Sequence, residues 1–240
     1  MVEAIHDLGA RERIRDRVAD IEHQVDDRSY HPGPWERVLK EARALSREDR
    51  AALKNDISRV SSKLHRREGR RILSPRVGII AEAALTVLGV VLIVLAIHNH
   101  SNWIGIVAAI VWMTAFQPLI KVGVGYLLGV EYEYAYFFGV EPRFKMRFGD
   151  YLAAPRWARI VLHLSGTIGS PLGVWLAMIC MPNDLRIAGI VCLVIFWLVI
   201  AVNVVEFIVG FSGVKKMGPL RPTMSSGGSA GLELREALEI

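Results

Sequence analysis

Four ionisable side chains interrupt the apolar stretches of this sequence: Glu82, Lys121, His163 and Glu206. A carboxylate can pair with a lysine or take up a proton, and a histidine oriented by a carboxylate can act as a general base. Because charged groups are costly in lipid, they generally face a bundle interior and pair. We therefore expect Lys121 to pair with Glu206 or Glu82. The alternative is that each side chain snorkels to the nearby membrane surface.

A second set of polar residues follows at offsets of three or four positions, which place each one on the same helical face as its ionisable neighbour. These residues are Thr86, Gln117, Thr167 and Asn203. At 1.5 Å per residue the ionisable groups lie within roughly 10 Å of one membrane edge, and the second set lies one turn deeper. The sequence predicts two polar layers inside a helical bundle.

The elements that position these layers are four apolar runs in a chain that is 52% hydrophobic. Each run is long enough to cross roughly 30 Å of hydrocarbon, which takes about 20 residues. The runs are 77–97, 103–126, 157–179 and 187–211. We predict an all-α integral membrane protein with four transmembrane helices, a membrane domain over 73–212 and a flexible tail over 213–240.

Basic residues gather before the first run, in the second connection and in the tail, whereas the connections HNHSN and MPNDLR hold one arginine between them. The positive-inside rule then places both termini in the cytoplasm of a plasma (inner) membrane. The formal charge of +5 favours anionic lipid over nucleic acid as the partner. The predicted lipid contacts are Arg66, Arg67, Arg70 and Arg71.

Residues 1–72 have the pattern of a cytoplasmic helical segment. Apolar residues recur every three or four positions on each side of the break HPGP and form two stripes, which we call seams. Ser46 with Asp49 resembles a helix-capping box. The seams are Ile14, Val18, Ile21 and Val25, and Leu53, Ile57, Val60 and Leu64. Such short helices make a small core alone, which favours a partner or dimerisation surface over a merely solvated bundle.

The connection over 130–156 begins with alternating acidic and aromatic residues, a pattern typical of an interfacial strand or loop with tyrosines at headgroup level. We predict that it forms a partner or lipid surface together with the end of the second helix. The residues of this predicted surface are Tyr126, Glu131, Tyr132, Glu133, Tyr134 and Tyr136.

The stretch QPLIKVGVGYLLGV, the following LLGVEYEYAYFFGVEPRFKMRFG and the later APRWARIVLHLSGTIGSPLGVWLAM resemble the intramembrane zinc proteases of the site-2 type, over about residues 112–180. The resemblance implies a core helix carrying the zinc motif HExxH. Here Gln117 and Lys121 stand where the two histidines would be, and Pro118 where the glutamate would be. Zinc needs deprotonated ligands and a lysine ammonium repels it, so we expect no metal, no cofactor and a pseudoprotease-like frame.

Three functions are consistent with these patterns. The first is a non-catalytic adaptor, regulator or chaperone-like subunit that binds a transmembrane partner, a second copy of the chain or membrane lipid. The second is a small oligomeric ion or solute transporter that uses the buried charge layer. The third is a membrane enzyme in which Glu206 orients His163 as the general base. The occupied zinc-ligand positions argue against enzymatic activity.

Overall fold

A computed structural model of the chain describes residues 2–31, 33–67, 71–138, 141–212 and 238. The structure is mostly helical, with a small sheet between the first three helices and the rest. The helices are α1 (Val2–Asp26), α2 (Pro34–Arg43), α3 (Arg47–Arg66), α4 (Pro75–His98), α5 (Asn102–Leu127), α6 (Phe148–Ala153), α7 (Arg156–Cys180) and α8 (Arg186–Ser212). The strands are β1 (Ile72–Leu73), β2 (Tyr132–Phe138) and β3 (Glu141–Met146).

Four helices in the described part of the chain, α4, α5, α7 and α8, are long and apolar enough to cross a membrane. They cover the four apolar runs, and the sheet lies at the end of the bundle where α4 begins and α5 ends. The four helices of the bundle are buried to different degrees. In the most apolar stretch of α8, only 11% of the residues are buried, whereas the corresponding share in α7 is 44%. Helix α7 is therefore central and α8 is peripheral.

The close contact between α5 and α7 depends on glycines of α7. A Cβ atom on Gly169 would lie 2.5 Å from the Cα atom of Gln117, and one on Gly173 would lie 2.5 Å from the carbonyl oxygen of Trp112. The two backbones therefore touch, as small residues at helix interfaces in membranes allow. The indole nitrogen of Trp112 in turn donates a hydrogen bond of 2.9 Å to the carbonyl oxygen of Thr86, which ties α5 to α4.

Helices α1–α3 form a unit around one apolar core, which we call the N-terminal unit. The two predicted seams pack against each other in this core. The predicted cap is also confirmed, because the hydroxyl oxygen of Ser46 accepts a hydrogen bond of 3.1 Å from the backbone N–H of Asp49. Leu152 and Phe148 of α6 complete the same core. Part of the apolar surface of the unit is thus covered by the chain's own α6, and a partner or dimerisation surface stays a prediction.

The three strands form one antiparallel sheet in the order β1-β2-β3. β1 pairs with β2 through Ile72 opposite Tyr136, and β2 pairs with β3 through Ala135 opposite Phe144. The chain is therefore mostly helical and not wholly α. The departure has a local cause, because the aromatic run of β2 favours an extended strand. Its partner strand, β1, lies far away in the sequence, immediately before α4.

The sheet is covered on both faces. On one face, the hydroxyl of Tyr134 shares a hydrogen bond of 2.8 Å with Nδ1 of His65 in α3. On the other face, a Cβ atom on Gly78 of α4 would lie 2.5 Å from the Cβ atom of Ala135. The backbone N–H of Gly149 in α6 also donates a hydrogen bond of 2.9 Å to the hydroxyl of Ser58 in α3. The sheet and α6 thus join the N-terminal unit to the membrane-length helices.

Candidate functional site

A crevice runs between α7 and the peripheral helix α8 and has a volume of about 500 Å³. Its walls are apolar, with Ile168 and Trp175 on α7 and Ile200 and Phe207 on α8 among the lining side chains. Two residues of the predicted deeper polar layer, Thr167 and Asn203, also line it. We call this feature the α7–α8 crevice. The predicted deeper polar layer thus meets a cavity at this place.

Two members of the deeper layer link helices. The side-chain nitrogen of Asn203 donates a hydrogen bond of 3.1 Å to the carbonyl oxygen of Thr167, which ties α8 to α7. The hydroxyl of Ser170 donates one of 3.1 Å to the amide oxygen of Gln117, which ties α7 to α5. The hydroxyls of Thr86 and Thr167 instead donate to carbonyl oxygens within their own helices. In the deeper layer, Gln117 and Asn203 therefore link neighbouring helices, whereas the two threonines form hydrogen bonds only within their own helices.

The side-chain oxygen of Asn203 accepts no hydrogen bond from any residue that the structure describes. It lies on the wall of an apolar crevice, in an apolar helix that is mostly exposed. In a membrane, an amide oxygen without a donor is costly, since no bulk water replaces the missing bond. This oxygen can therefore accept a hydrogen bond from a donor that enters the crevice.

The shallower layer does not act as one network. Glu82 is fully buried in α4, one turn from Gly78 and therefore close to the sheet. The stem of Lys121 packs on Gly166 of α7, with its Cδ atom 3.1 Å from where a Cβ atom would lie. Glu206 is half-buried and makes no hydrogen bond or ion pair with another described residue. The predicted pairing of Lys121 with Glu206 is thus not formed, and pairing with Glu82 stays a prediction.

His163 has a partner that the sequence did not reveal. Its Nε2 atom shares a hydrogen bond of 2.9 Å with the hydroxyl of Tyr151 in α6, and both side chains are buried. Since α6 has only six residues, no periodic pattern marked Tyr151 in advance. Glu206 does not orient the histidine in the described structure. The acid–base pair expected for a membrane enzyme is therefore absent among the described residues.

The predicted exposure of three tyrosines is wrong. Tyr132, Tyr134 and Tyr136 are buried, because β2 is packed between α3 and α4. A register irregularity between Tyr132 and Tyr134 also breaks the simple alternation of the strand. Tyr132 donates a hydrogen bond of 2.9 Å to the carbonyl oxygen of Lys121, while Tyr134 faces His65. The tyrosines are internal packing residues on both faces of the sheet.

Tyr126 and Glu131 are exposed, as the sequence predicted. Glu131 pairs with Arg147, with 3.1 Å between Oε2 and the guanidinium nitrogen. Of the predicted lipid contacts, Arg66, Arg67 and Arg71 are exposed. The guanidinium of Arg66 also lies 5.1 Å above the ring centre of Tyr134. Arg70 and the tail over 213–237 lie outside the described residues.

Glu133 is half-buried beside the sheet, and burial raises the pKa of its carboxyl group above the ordinary 4.5 despite the nearby Lys145 and Arg147. The folded chain therefore holds this proton more tightly than the unfolded chain does, and stability falls as the pH rises from about 4.5. We expect Glu133→Gln to raise the thermal stability of the detergent-solubilised protein at about pH 7, with the gain fading towards about pH 4.

Glu131→Gln is the matched control for this measurement, because Glu131 is exposed and its carboxylate is paired with Arg147. It should give no gain at neutral pH. Thermal unfolding curves recorded across the pH range compare the two variants with the unmodified chain. A Glu133→Gln variant that is less stable than the unmodified chain at neutral pH would contradict the assigned effect of burial.

The described residues hold no group of three or more histidine, cysteine, aspartate or glutamate side chains that could bind a metal ion. Gln117 and Lys121, at the ligand positions implied by the resemblance, instead face α7 through Ser170 and Gly166. The resemblance to site-2 proteases remains a prediction. No family model, curated protein or solved structure matches this chain.

Proposed function

We propose that the protein is a non-catalytic membrane adaptor that binds a transmembrane helix of a partner protein in the α7–α8 crevice. The observation that carries this proposal is the side-chain oxygen of Asn203, which has no donor among the described residues although it lies in an apolar crevice. The crevice offers apolar surface along both walls and one acceptor at a defined depth.

The acceptor favours a helix over a lipid tail as the occupant. An acyl chain supplies apolar contact but no hydrogen-bond donor, so it would leave the oxygen of Asn203 without a partner. A transmembrane helix with a serine, threonine, asparagine or glutamine at the matching depth supplies both. Hydrogen bonds of this kind between membrane helices contribute about 1–2 kcal/mol in model peptides.

The peripheral position of α8 also supports lateral entry of a helix. Since only 11% of its apolar window is buried, α8 is held mainly along one face and leaves the crevice open to the surrounding lipid. The N-terminal unit, attached through the sheet and α6, would then be the part that carries the signal or a further partner on the side predicted to be cytoplasmic.

Photo-crosslinking in native membranes tests the proposal. A photoreactive amino acid replaces Ile168, which lines the crevice and is 56% exposed. The control position is Val194, which is 62% exposed on α8 but does not line the crevice. We expect a crosslinked protein at Ile168 and only lipid at Val194. Lipid alone at both positions would contradict a helix-binding function, and a dimer band at Ile168 would identify a second copy as the partner.

Asn203→Leu should weaken the crosslink at Ile168 by about tenfold, because it removes an acceptor whose hydrogen bond contributes about 1–2 kcal/mol. Gln117→Leu is its matched control, since Gln117 also takes part in a 3.1 Å inter-helix hydrogen bond but does not line the crevice. A variant that still folds should elute from size exclusion like the unmodified protein. An unchanged crosslink in folded Asn203→Leu would show that the side-chain oxygen of Asn203 does not contribute to partner binding.

The transporter alternative has one observation in its favour, the complete burial of Glu82 in a membrane-length helix. Carboxylates in such positions often belong to proton or ion routes. Proton and cation flux into liposomes that contain the purified protein tests this alternative. Flux that is lost in Glu82→Gln would establish it, and the absence of flux leaves Glu82 as a structural residue.

A further inference from the structure

Four arginines from two distant segments meet around the end of α6. Arg47 and Arg50 lie in the first turn of α3, and Arg156 and Arg159 in the first turn of α7. Nε of Arg47 donates a hydrogen bond of 3.4 Å to the carbonyl oxygen of Ala153. One guanidinium nitrogen of Arg159 donates to the carbonyl oxygens of residues 152 and 154, at 3.3 and 3.2 Å. We call these four residues the arginine cluster.

The arginine cluster has no counter-charge. None of its four guanidiniums forms an ion pair with a carboxylate in the described part of the chain. Burial, together with repulsion from Arg47, lowers the pKa of Arg50. Arg159 is only 1% exposed, and the charged groups that act on it include Arg43, Arg50 and Arg156, all positive. The fold therefore brings positively charged guanidinium groups close together in a partly buried environment.

Two donors of the arginine cluster also lack acceptors. The Nε atoms of Arg50 and Arg159 are buried and have no hydrogen-bond partner among the described residues. A buried, charged donor without an acceptor is costly, so such a group generally indicates a partner that is missing from the chain itself. An anion with several acceptor oxygens would satisfy both donors and offset the positive charges of the arginine cluster.

Several basic residues of the N-terminal unit pair with carboxylates. Arg17 bonds Glu41, Arg59 bonds Glu22 at 2.8 Å, and Lys63 bonds Asp26 at 2.7 Å. The arginine cluster is separate from the predicted lipid contacts Arg66 and Arg71, and it contains a buried member, Arg159, whereas those two residues are exposed.

The location of the arginine cluster indicates the source of the anion. Arg156 and Arg159 begin a membrane-length helix, and Trp157 between them is 61% exposed. Tryptophan at the end of a membrane helix is typical of the headgroup region. Guanidinium groups bind phosphate oxygens in a bidentate manner, with short, charge-assisted hydrogen bonds. Phospholipid headgroups supply this group at this level of the membrane.

We propose that the arginine cluster is a binding site for a phosphate group, carried by an anionic phospholipid headgroup or by a free anion. The phosphate oxygens would accept hydrogen bonds from the guanidiniums and neutralise their mutual repulsion. Bound phosphate would also join α3, α6 and the start of α7, and so stiffen the connection between the N-terminal unit and the membrane helices.

Thermal unfolding of the full-length protein in neutral detergent tests the proposal with defined additives. Phosphatidylglycerol is compared with phosphatidylcholine, and inorganic phosphate with chloride at the same ionic strength. We expect phosphatidylglycerol to raise the melting temperature and phosphatidylcholine to leave it unchanged. A rise with inorganic phosphate alone would support the same site with a free anion as its ligand. Equal effects of all four additives would overturn the proposal.

Arg156→Gln and Arg50→Gln test the residues themselves. Arg156 is exposed and makes no hydrogen bond within the described structure, so its loss should not prevent folding. We expect each variant to weaken anion binding by about tenfold, as the loss of one charge-assisted hydrogen bond implies. Without the anion, Arg156→Gln should be as stable as the unmodified protein or more stable, because repulsion falls.

Arg71→Gln is the matched control, since it removes one positive charge at an exposed position outside the arginine cluster. It should retain the full shift with phosphatidylglycerol. Native mass spectrometry of the same samples counts the lipid molecules that stay bound. An equal loss of binding in Arg71→Gln and Arg156→Gln would show general charge attraction and would refute a defined phosphate site.

Discussion

Replacing Gly149 with alanine is expected to separate the N-terminal unit from the rest of the molecule. A Cβ atom at this position would overlap the backbone carbonyl oxygen of Lys54, which cannot move without displacing α3. The backbone N–H of Gly149 would also lose its hydrogen bond to Ser58. Since overpacking against backbone is not relieved by a rotamer change, we expect a loss of about 3 kcal/mol or more.

Hydrogen exchange and limited proteolysis of the detergent-solubilised protein measure this effect. In Gly149→Ala, exchange should increase across α3 and α6, where the contact is lost, while α5 and α7 keep their protection. Gly189→Ala is the matched control, because nothing lies within 4 Å of a Cβ atom at that helical position. Equal stability of the two variants would show that α6 is not held against α3 as the structure has it.

Replacing Lys121 with methionine is expected to cost about 3–5 kcal/mol if its ammonium group balances a buried carboxylate. Glu82 is the expected partner. Tyr132, which bonds the carbonyl oxygen of Lys121, packs on Phe144 with ring centres 6.1 Å apart. Phe144 in turn contacts α4 at Gly78, one turn from Glu82. The double change Lys121→Met with Glu82→Gln should recover much of the loss.

Glu206→Gln provides the control for this cycle, since Glu206 makes no ion pair with another described residue. Its effect should add to that of Lys121→Met without coupling. Thermal and denaturant unfolding in detergent supply the free energies for all the variants. Purely additive losses with both carboxylates would contradict a charge pair and would favour a snorkelling lysine.

Local patterns predicted the helices well. Apolar run length marked α4, α5, α7 and α8, and spacings of three and four residues marked the seams that pack in the N-terminal unit. The sequence placed Gln117 and Asn203 in one polar layer, and the structure adds that both take part in inter-helix hydrogen bonds. These features depend on contacts within one helix or on one helical face, and the spacing of residues in the sequence predicts such contacts directly.

Features that depend on distant segments could not be predicted in this way. β1 has only two residues and becomes a strand because β2 pairs with it. The burial of Tyr134 depends on α3, which no alternation within β2 indicates. The arginine cluster joins residues 47–50 to residues 156–159, and each pair alone looks like an ordinary basic surface. Only the fold shows that they share one place and lack carboxylates.

The shared core of the N-terminal unit has a consequence for biosynthesis. Helices α1–α3 are made first, but Leu152 and Phe148 of their core and the strand partners of β1 are made only after α4 and α5. Contacts between segments so far apart form late, because the intervening chain must first be closed. While α4 and α5 emerge from the ribosome, the N-terminal unit therefore stays incomplete, with apolar surface open to chaperones and proteases.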